Sequence, residues 1–167
     1  MGAAYDAGAW QTFYATVAGA AAALVGLLFV VLSLHLRAIM TNPGAHGRAR
    51  EVFGGFLGLL VLALLVLIPG QGRSPLGVEL LTFGVVRVGA TVRFQGETLR
   101  RLSGTMRRRR LRRLVPLDLG TVAIFIAAIS LLLGRFGGLF WLMPTVVIYL
   151  VNSLVNAWVL MVLTGEG

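Results

Sequence analysis

The chain of 167 residues contains no cysteine, no lysine and few charged residues of any kind. The absence of cysteine excludes disulfides, thiolate catalysis and metal or iron–sulfur sites with cysteine ligands. Charged residues make up 13% of the chain, whereas they make up about 25% of a typical soluble domain. Fifteen arginines outnumber six acidic residues and give a net charge of +9. This composition is not that of an ordinary soluble domain.

Long apolar stretches account for most of the chain. Hydrophobic residues make up 57% of it, the mean hydropathy is +0.88, and a helix that crosses a bilayer needs about 20 mostly apolar residues. Five stretches approach this length, at residues 11–36, 52–70, 76–92, 116–134 and 139–163. They predict an all-α integral membrane helical bundle that forms a single membrane domain over residues 1–167. The alternative is four helices, in which the stretch 76–92 does not cross.

The distribution of arginine predicts the orientation of the chain. If the N-terminus is outside, the cytoplasmic loops contain twelve arginines and the opposite side has only Arg73 and Arg135. Cytoplasmic loops of membrane proteins carry such an excess of basic residues. We therefore expect five helices with the N-terminus out and the C-terminus in, and a basic cytoplasmic loop over residues 93–115.

Six arginines of that loop form a dense cluster beside the fourth apolar stretch. A cluster of this size next to a membrane helix is typical of a site for anionic lipids. The net charge would suggest nucleic acid in a soluble protein, but the excess of arginine on one side of the membrane explains it here, and we expect no nucleic-acid partner. The predicted lipid-binding residues are Arg107, Arg108, Arg109, Arg110, Arg112 and Arg113.

Small residues recur at helical spacing in the first two apolar stretches. Such residues let two helix backbones approach closely inside a membrane. The sequence leaves open whether this face packs within one chain or between copies of the chain. Its members are Ala15, Gly19, Ala22, Gly26 and Ser33 in the first stretch, with Gly54 and Gly58 in the second.

A stripe of polar residues follows one face of the last stretch, at Thr145, Tyr149, Asn152 and Asn156. Polar groups surrounded by hydrocarbon need hydrogen-bonding partners, so we expect this face to turn inward. Two functions are compatible with it. The stripe either forms hydrogen bonds between helices or lines a hydrated path through the membrane.

Three further titratable residues lie in or beside the apolar stretches. Glu79 and Arg87 lie within the third stretch, where a charge is costly and is therefore a candidate functional group. His35 ends the first stretch and is a candidate pH sensor. The two histidines of the chain, without cysteine or an acidic cluster nearby, predict no metal site. No catalytic constellation is recognisable, so we expect neither enzymatic activity nor a cofactor.

The segments Trp10–Phe13 and Ala18–Ser33 resemble a family of small uncharacterised membrane proteins from GC-rich bacteria. Ile68–Gln71 and Leu76–Leu81 are similar to the same group. The resemblance covers about the first half of the chain and implies a multi-pass protein of the bacterial cytoplasmic (inner) membrane. It implies no activity, substrate or catalytic residue.

These features predict a homo-oligomeric membrane channel or transport subunit for a small ion or solute. The alternative is a non-catalytic accessory or regulatory membrane protein that binds a larger membrane partner and anionic lipids. A pore requires a polar face that an oligomer encloses, whereas a binding protein requires only a complementary outer face.

Replacement of the arginines of residues 107–113 with glutamine should weaken binding to anionic vesicles, because each basic residue near such a surface contributes about 1 kcal/mol. Flotation or sedimentation of the reconstituted protein with added anionic vesicles measures the effect, and neutral vesicles are the control. Equal binding of the original and substituted proteins to anionic vesicles would contradict the lipid-site prediction.

Overall fold

The protein is built from helices throughout the part that the structure describes. The computed structural model describes residues 2–41, 43–100 and 104–165, which contain no strand. The helices are α1 (Gln11–Leu34), α2 (Leu36–Thr41), α3 (Pro43–Val66), α4 (Arg73–Arg100), α5 (Gly104–Leu133) and α6 (Leu142–Gly165). Short 3-10 helices lie at Ala3–Tyr5, Ala7–Trp10 and Gly138–Trp141. The predicted all-α helical bundle is therefore confirmed.

Four helical segments are long and apolar enough to cross a membrane, which identifies a membrane protein. They are Ala7–Leu34, Ala45–Val66, Arg73–Arg93 and Gly138–Val162. In α5 the apolar helical segment within the described side chains is shorter, at Leu119–Leu133. The stretch 76–92, whose crossing was in question, lies inside the unbroken helix α4.

The expected loop over residues 93–115 is largely helical. The backbone of α4 continues to Arg100, and α5 begins at Gly104, well before the Pro116 that was expected to open it. Hydropathy detects only the apolar part of a helix, whereas arginine is itself a good helix former. The predicted boundaries therefore mark the apolar portions of α4 and α5 rather than the ends of the helices.

The chain divides into two compact units. The first unit comprises Met1–Trp10 and Ile68–Thr145, and the second comprises Gln11–Leu67 and Val146–Gly167.

Glycine allows α4 and α5 to pack closely in the first unit. A methyl group added at Gly77 would lie 2.9 Å from Leu132 Cγ and 3.1 Å from the carbonyl oxygen of Ala128. A methyl group at Gly84 would lie 3.0 Å from the ring of Phe125. Both distances are shorter than ordinary van der Waals contact, so the two helices approach closely at these glycines, and a methyl group at either one would require the neighbouring atoms of α5 to shift.

The N-terminal segment of the first unit is attached to the turn between α5 and α6. The backbone N–H of Gly137 donates to the Tyr5 hydroxyl at 2.9 Å, and the rings of Trp10 and Phe140 pack edge to face with centroids 4.9 Å apart. Phe136 in this turn has a left-handed φ of 72°, which is uncommon for a bulky residue. These contacts fix the start of the chain to the turn.

The second unit has an apolar core formed by all of its helices. Leu28 of α1, Ile39 of α2, Phe56 of α3 and Leu160 of α6 belong to this buried cluster. Inside a membrane, such packing stabilises a bundle through van der Waals contact rather than through the release of water.

Gly77→Ala should lower the free energy of unfolding by about 1–3 kcal/mol, because the new methyl group meets backbone and must displace α5. Gly89→Ala is the matched control on the same helix, since no atom lies within 4 Å of a methyl group at that position. We expect the control to be neutral or to stabilise by about 0.5–1 kcal/mol through helix propensity. Reversible unfolding in mixed micelles measures both, and equal stabilities of the two variants would contradict the close approach of α4 and α5.

Candidate functional sites

The small-residue face of α1 points away from the other described helices of the second unit. The buried residues of α1 include Tyr14, Val17, Ala21 and Leu28, and they lie on the other side of the helix. No atom lies within 4 Å of a methyl group built at Gly19 or at Gly26. The exposed small residues are Ala15, Gly19, Ala22, Gly26 and Ser33. This side of α1 is therefore open within the described part of the second unit.

The exposed side of α1 changes in size along its length. As far as Gly26, the exposed positions after Gln11 carry only glycine, alanine and threonine. From that point on they carry mostly large apolar side chains, with Leu27 exposed by 65% and Leu34 by 76%. For comparison, the exposed positions of α4 within its apolar segment Arg73–Arg93 include the larger side chains of Val85 and Val86. We call the exposed residues of α1 from Thr12 to Gly26 the small face.

The two glycines predicted to pack in the second stretch lie in α3. Gly58 is buried and Gly54 is half-buried. A methyl group at Gly54 would meet no atom within 4 Å, whereas one at the neighbouring Gly55 would overlap the hydroxyl oxygen of Ser153. Gly55, which the sequence did not single out, is thus a point of close approach between α3 and α6.

The polar stripe of α6 is inward-facing at its start. In the first unit, the buried Thr145 hydroxyl donates to the carbonyl oxygen of Gly120 in α5 at 3.0 Å. In the second unit, Tyr149 is buried and interacts with neighbouring residues. The Asn156 amide donates to the carbonyl oxygen of Asn152 on its own helix at 2.8 Å. The hydrogen bonds of Thr145 and Asn156 are therefore formed within the protein and do not require a hydrated path.

Ser153 is a buried polar residue of α6 that the sequence pattern did not reveal. It is 1% exposed, and its hydroxyl oxygen has no hydrogen-bond partner among the described residues. A single serine in an apolar helix resembles alanine in size and gives no strong polar signal. Its position four residues after Tyr149 and three before Asn156 is the signal that identifies its face.

Glu79 and Arg87 both lie partly buried in α4. One carboxylate oxygen of Glu79 is buried and has no hydrogen-bond partner within the described residues. Arg87 interacts with its surroundings. The spacing of eight residues places the two about 12 Å apart along the helix, so neither is the direct partner of the other.

His35 lies between α1 and α2 and is exposed. Its ring nitrogen Nδ1 is 3.2 Å from the carbonyl oxygen of Val31, one turn earlier. The ring therefore lies against the end of its own helix. Its role as a pH sensor stays a prediction.

The backbone of the arginine cluster belongs to α5, but the side chains of its six arginines lie outside the described residues. Lipid binding by this cluster also stays a prediction. Within the described part of the chain, no group of three or more histidine, cysteine, aspartate or glutamate side chains could hold a metal ion.

Together these features define a multi-helix membrane protein with an open small face on α1 and a buried polar group at mid-helix in α6. No protein-family model, curated protein or solved structure matches this chain. Its resemblance to small bacterial membrane proteins therefore stays a prediction.

Thr145→Val should lower the free energy of unfolding by about 0.6 kcal/mol and by no more than about 1.7 kcal/mol, the range for hydrogen bonds between membrane helices. Thr82→Val is the matched control, because the exposed Thr82 hydroxyl donates to the carbonyl oxygen of Val78 on its own helix. The control should change stability by less than about 0.5 kcal/mol. If both variants unfold at the same denaturant concentration, the bond to Gly120 contributes nothing.

Proposed function

We propose that this protein is a non-catalytic accessory or regulatory subunit of the bacterial cytoplasmic membrane, which binds a transmembrane helix of a larger membrane protein through the small face of α1. The observation that carries the proposal is the exposure of Ala15, Gly19, Ala22 and Gly26. Helices in membranes associate at such residues because their backbones can approach closely and gain van der Waals contact.

The contrast with the other exposed surfaces supports this assignment. Side chains that face lipid gain nothing from being small, and the exposed positions of α4 include Val85, Val86 and Val92 among smaller residues such as Thr82, Gly89 and Ala90. Because the exposed side chains of α1 from Thr12 to Gly26 are all small, they leave a groove that lipid chains fill less closely than another helix. A transmembrane helix is therefore the ligand that fits the small face best.

The basic segment supplies the second contact of the proposed subunit. In the N-out, C-in arrangement with five crossings, the arginines of residues 107–113 lie on the cytoplasmic side. The negative surface potential of that leaflet attracts them. Lipid binding at this end and helix binding along α1 would together hold the subunit beside its partner.

A homo-oligomeric channel or transport subunit is the second candidate function. The observation that favours it is the position of hydroxyl groups on the same exposed side of α1. Thr16 and Ser33 are exposed, and each donates to a carbonyl oxygen of its own helix, leaving lone pairs free to accept. In a ring of copies that meet at α1, these oxygens would face the symmetry axis and could contact a permeating solute.

Gly19→Leu combined with Gly26→Leu should abolish association, because two isobutyl groups would hold a second helix away from the backbone of α1. The variant should fold normally, since both positions have open space around them. Val85→Leu combined with Val88→Leu is the control, because it adds bulk at exposed positions of α4. Co-purification from native membranes after cross-linking, together with native mass spectrometry in nanodiscs, measures association.

Each outcome of this experiment assigns one function. A monomer that captures one defined membrane protein, and loses it only in the glycine variant, supports the accessory subunit. A closed oligomer of three or more copies, with solute flux in liposomes that the glycine variant lacks, supports the channel instead. If the glycine variant and the control associate equally, the small face is not a docking surface.

A further inference from the structure

The two arginines that the charge distribution assigns to the outer side of the membrane come together in the first unit. Arg73 begins α4, and Arg135 follows the end of α5. A methyl group built at Gly134, directly before Arg135, would overlap the guanidinium group of Arg73. Because neighbouring Cα atoms are about 3.8 Å apart, this guanidinium lies beside the backbone that carries Arg135. We call Arg73 and Arg135 the outer arginine pair.

Hydrogen bonds fix the turn that carries Arg135. The backbone N–H of Arg135 donates to the carbonyl oxygen of Ser130 at 3.2 Å, and the Ser130 hydroxyl donates to the carbonyl oxygen of Arg135. The same hydroxyl accepts from the backbone N–H of Gly138 at 2.8 Å. The backbone at Arg135 is thus held on both sides, so a ligand of its side chain would not have to order the turn.

The positive charges of the outer arginine pair have no anionic partner in the described part of the unit. Both side chains are exposed, and neither forms an ion pair with a described carboxylate. The Asp6 carboxylate accepts from the backbone N–H of Gly8, and Glu79 lies six residues, or about 9 Å, further along α4 than Arg73. Two guanidinium groups so placed favour an anion, and their planar donors match the oxygens of a phosphate or carboxylate.

The outer arginine pair lies where three apolar segments end or begin. Arg73 is the first residue of the span Arg73–Arg93, the segment Leu119–Leu133 ends just before Arg135, and the span Gly138–Val162 begins just after it. The ends of apolar segments mark the limit of the hydrocarbon, beyond which lie the polar headgroups. The phosphate of a phospholipid is an anion that is present at this depth.

Exposed aromatic side chains beside the pair distinguish a lipid from a free phosphate ion. Phe136 is 74% exposed and Trp141 is 41% exposed, and the Trp141 indole N–H donates to the carbonyl oxygen of Phe136. Tryptophan is enriched at the headgroup level of membranes. The phenylalanine ring offers an apolar contact to an acyl chain, which a free phosphate ion lacks.

We propose that Arg73 and Arg135 bind the phosphate group of one phospholipid at the turn between α5 and α6, with Phe136 and Trp141 against its acyl chains. The two guanidinium groups donate to the phosphate oxygens. This site is separate from the arginines of residues 107–113, which the charge distribution assigns to the opposite surface. The proposal does not depend on the binding of a partner at α1.

Arg73→Gln combined with Arg135→Gln should remove one bound phospholipid and weaken binding at this site about thirtyfold, because two basic contacts are lost. Native mass spectrometry of the full chain in detergent, titrated with phosphatidylglycerol, measures the number of bound lipids and their dissociation constants. Arg73→Lys combined with Arg135→Lys is the matched control, since it keeps both charges and should retain this lipid. A glutamine variant that binds as many lipids as the original protein, equally tightly, would overturn the proposal.

Thermal unfolding separates lipid binding from a structural role, because Arg73 also lies near the carbonyl end of α5, where a cation stabilises a helix. In lipid-free detergent the original protein and the glutamine variant should unfold at the same temperature. Phosphatidylglycerol should then raise the unfolding temperature of the original protein more than that of the variant. If the variant is less stable without lipid and gains as much from lipid as the original protein, the pair only caps α5 and the proposal is wrong.

Two other ligands test which part of the lipid is recognised. They are inorganic phosphate and a glycolipid that has the same acyl chains but no phosphate. Neither should produce the difference between the original protein and the glutamine variant that phosphatidylglycerol produces. The same difference with inorganic phosphate would assign the site to a free anion, and the same difference with the glycolipid would exclude recognition of the phosphate, so either result would overturn the proposal.

Discussion

Close approach of helix backbones at glycine is the contact on which the packing of this protein depends. Helices inside a bilayer are already surrounded by hydrocarbon, so burial of apolar side chains does not drive them together as it does in water. Gly77 and Gly84 bring α4 against α5 in one unit, and Gly55 brings α3 against Ser153 in the other. An added methyl group at Gly77 would press on the backbone of α5, whereas at Gly84 and Gly55 it would press on the side chains of Phe125 and Ser153.

The same constraint explains why polar groups are so few and so closely placed. Hydrocarbon offers no hydrogen bonds, and a polar side chain in a membrane helix must find a partner on a helix nearby or on its own backbone. The Thr145 hydroxyl donates to a carbonyl oxygen of α5, and the Asn156 amide donates to a carbonyl oxygen of its own helix. Polar residues that bond across helices, as Thr145 does, hold them in register whether or not anything passes through the membrane.

The sequence predicted the class of the fold because hydropathy is a direct measure of what a bilayer accepts. It did not predict the ends of α4 and α5, since the segments that end α4 and begin α5 are polar yet helical. It also did not predict which side of α1 faces outward. Alanine occupies both the buried position Ala21 and the exposed position Ala22, so composition alone does not distinguish the two sides. Ser153 was missed because its environment depends on Gly55, which lies about one hundred residues away in the chain.

The change in side-chain size along α1 restricts the geometry of any helix that lies against it. Such a helix can approach the backbone closely over the first four turns, where the exposed residues are small. Beyond Gly26 the side chains of Leu27, Val30 and Leu34 stand between the two axes and hold them apart. The axes of α1 and the other helix must therefore diverge from the Gln11 end of α1 toward its Leu34 end. Lipid chains would fill the space between the two helices at the Leu34 end.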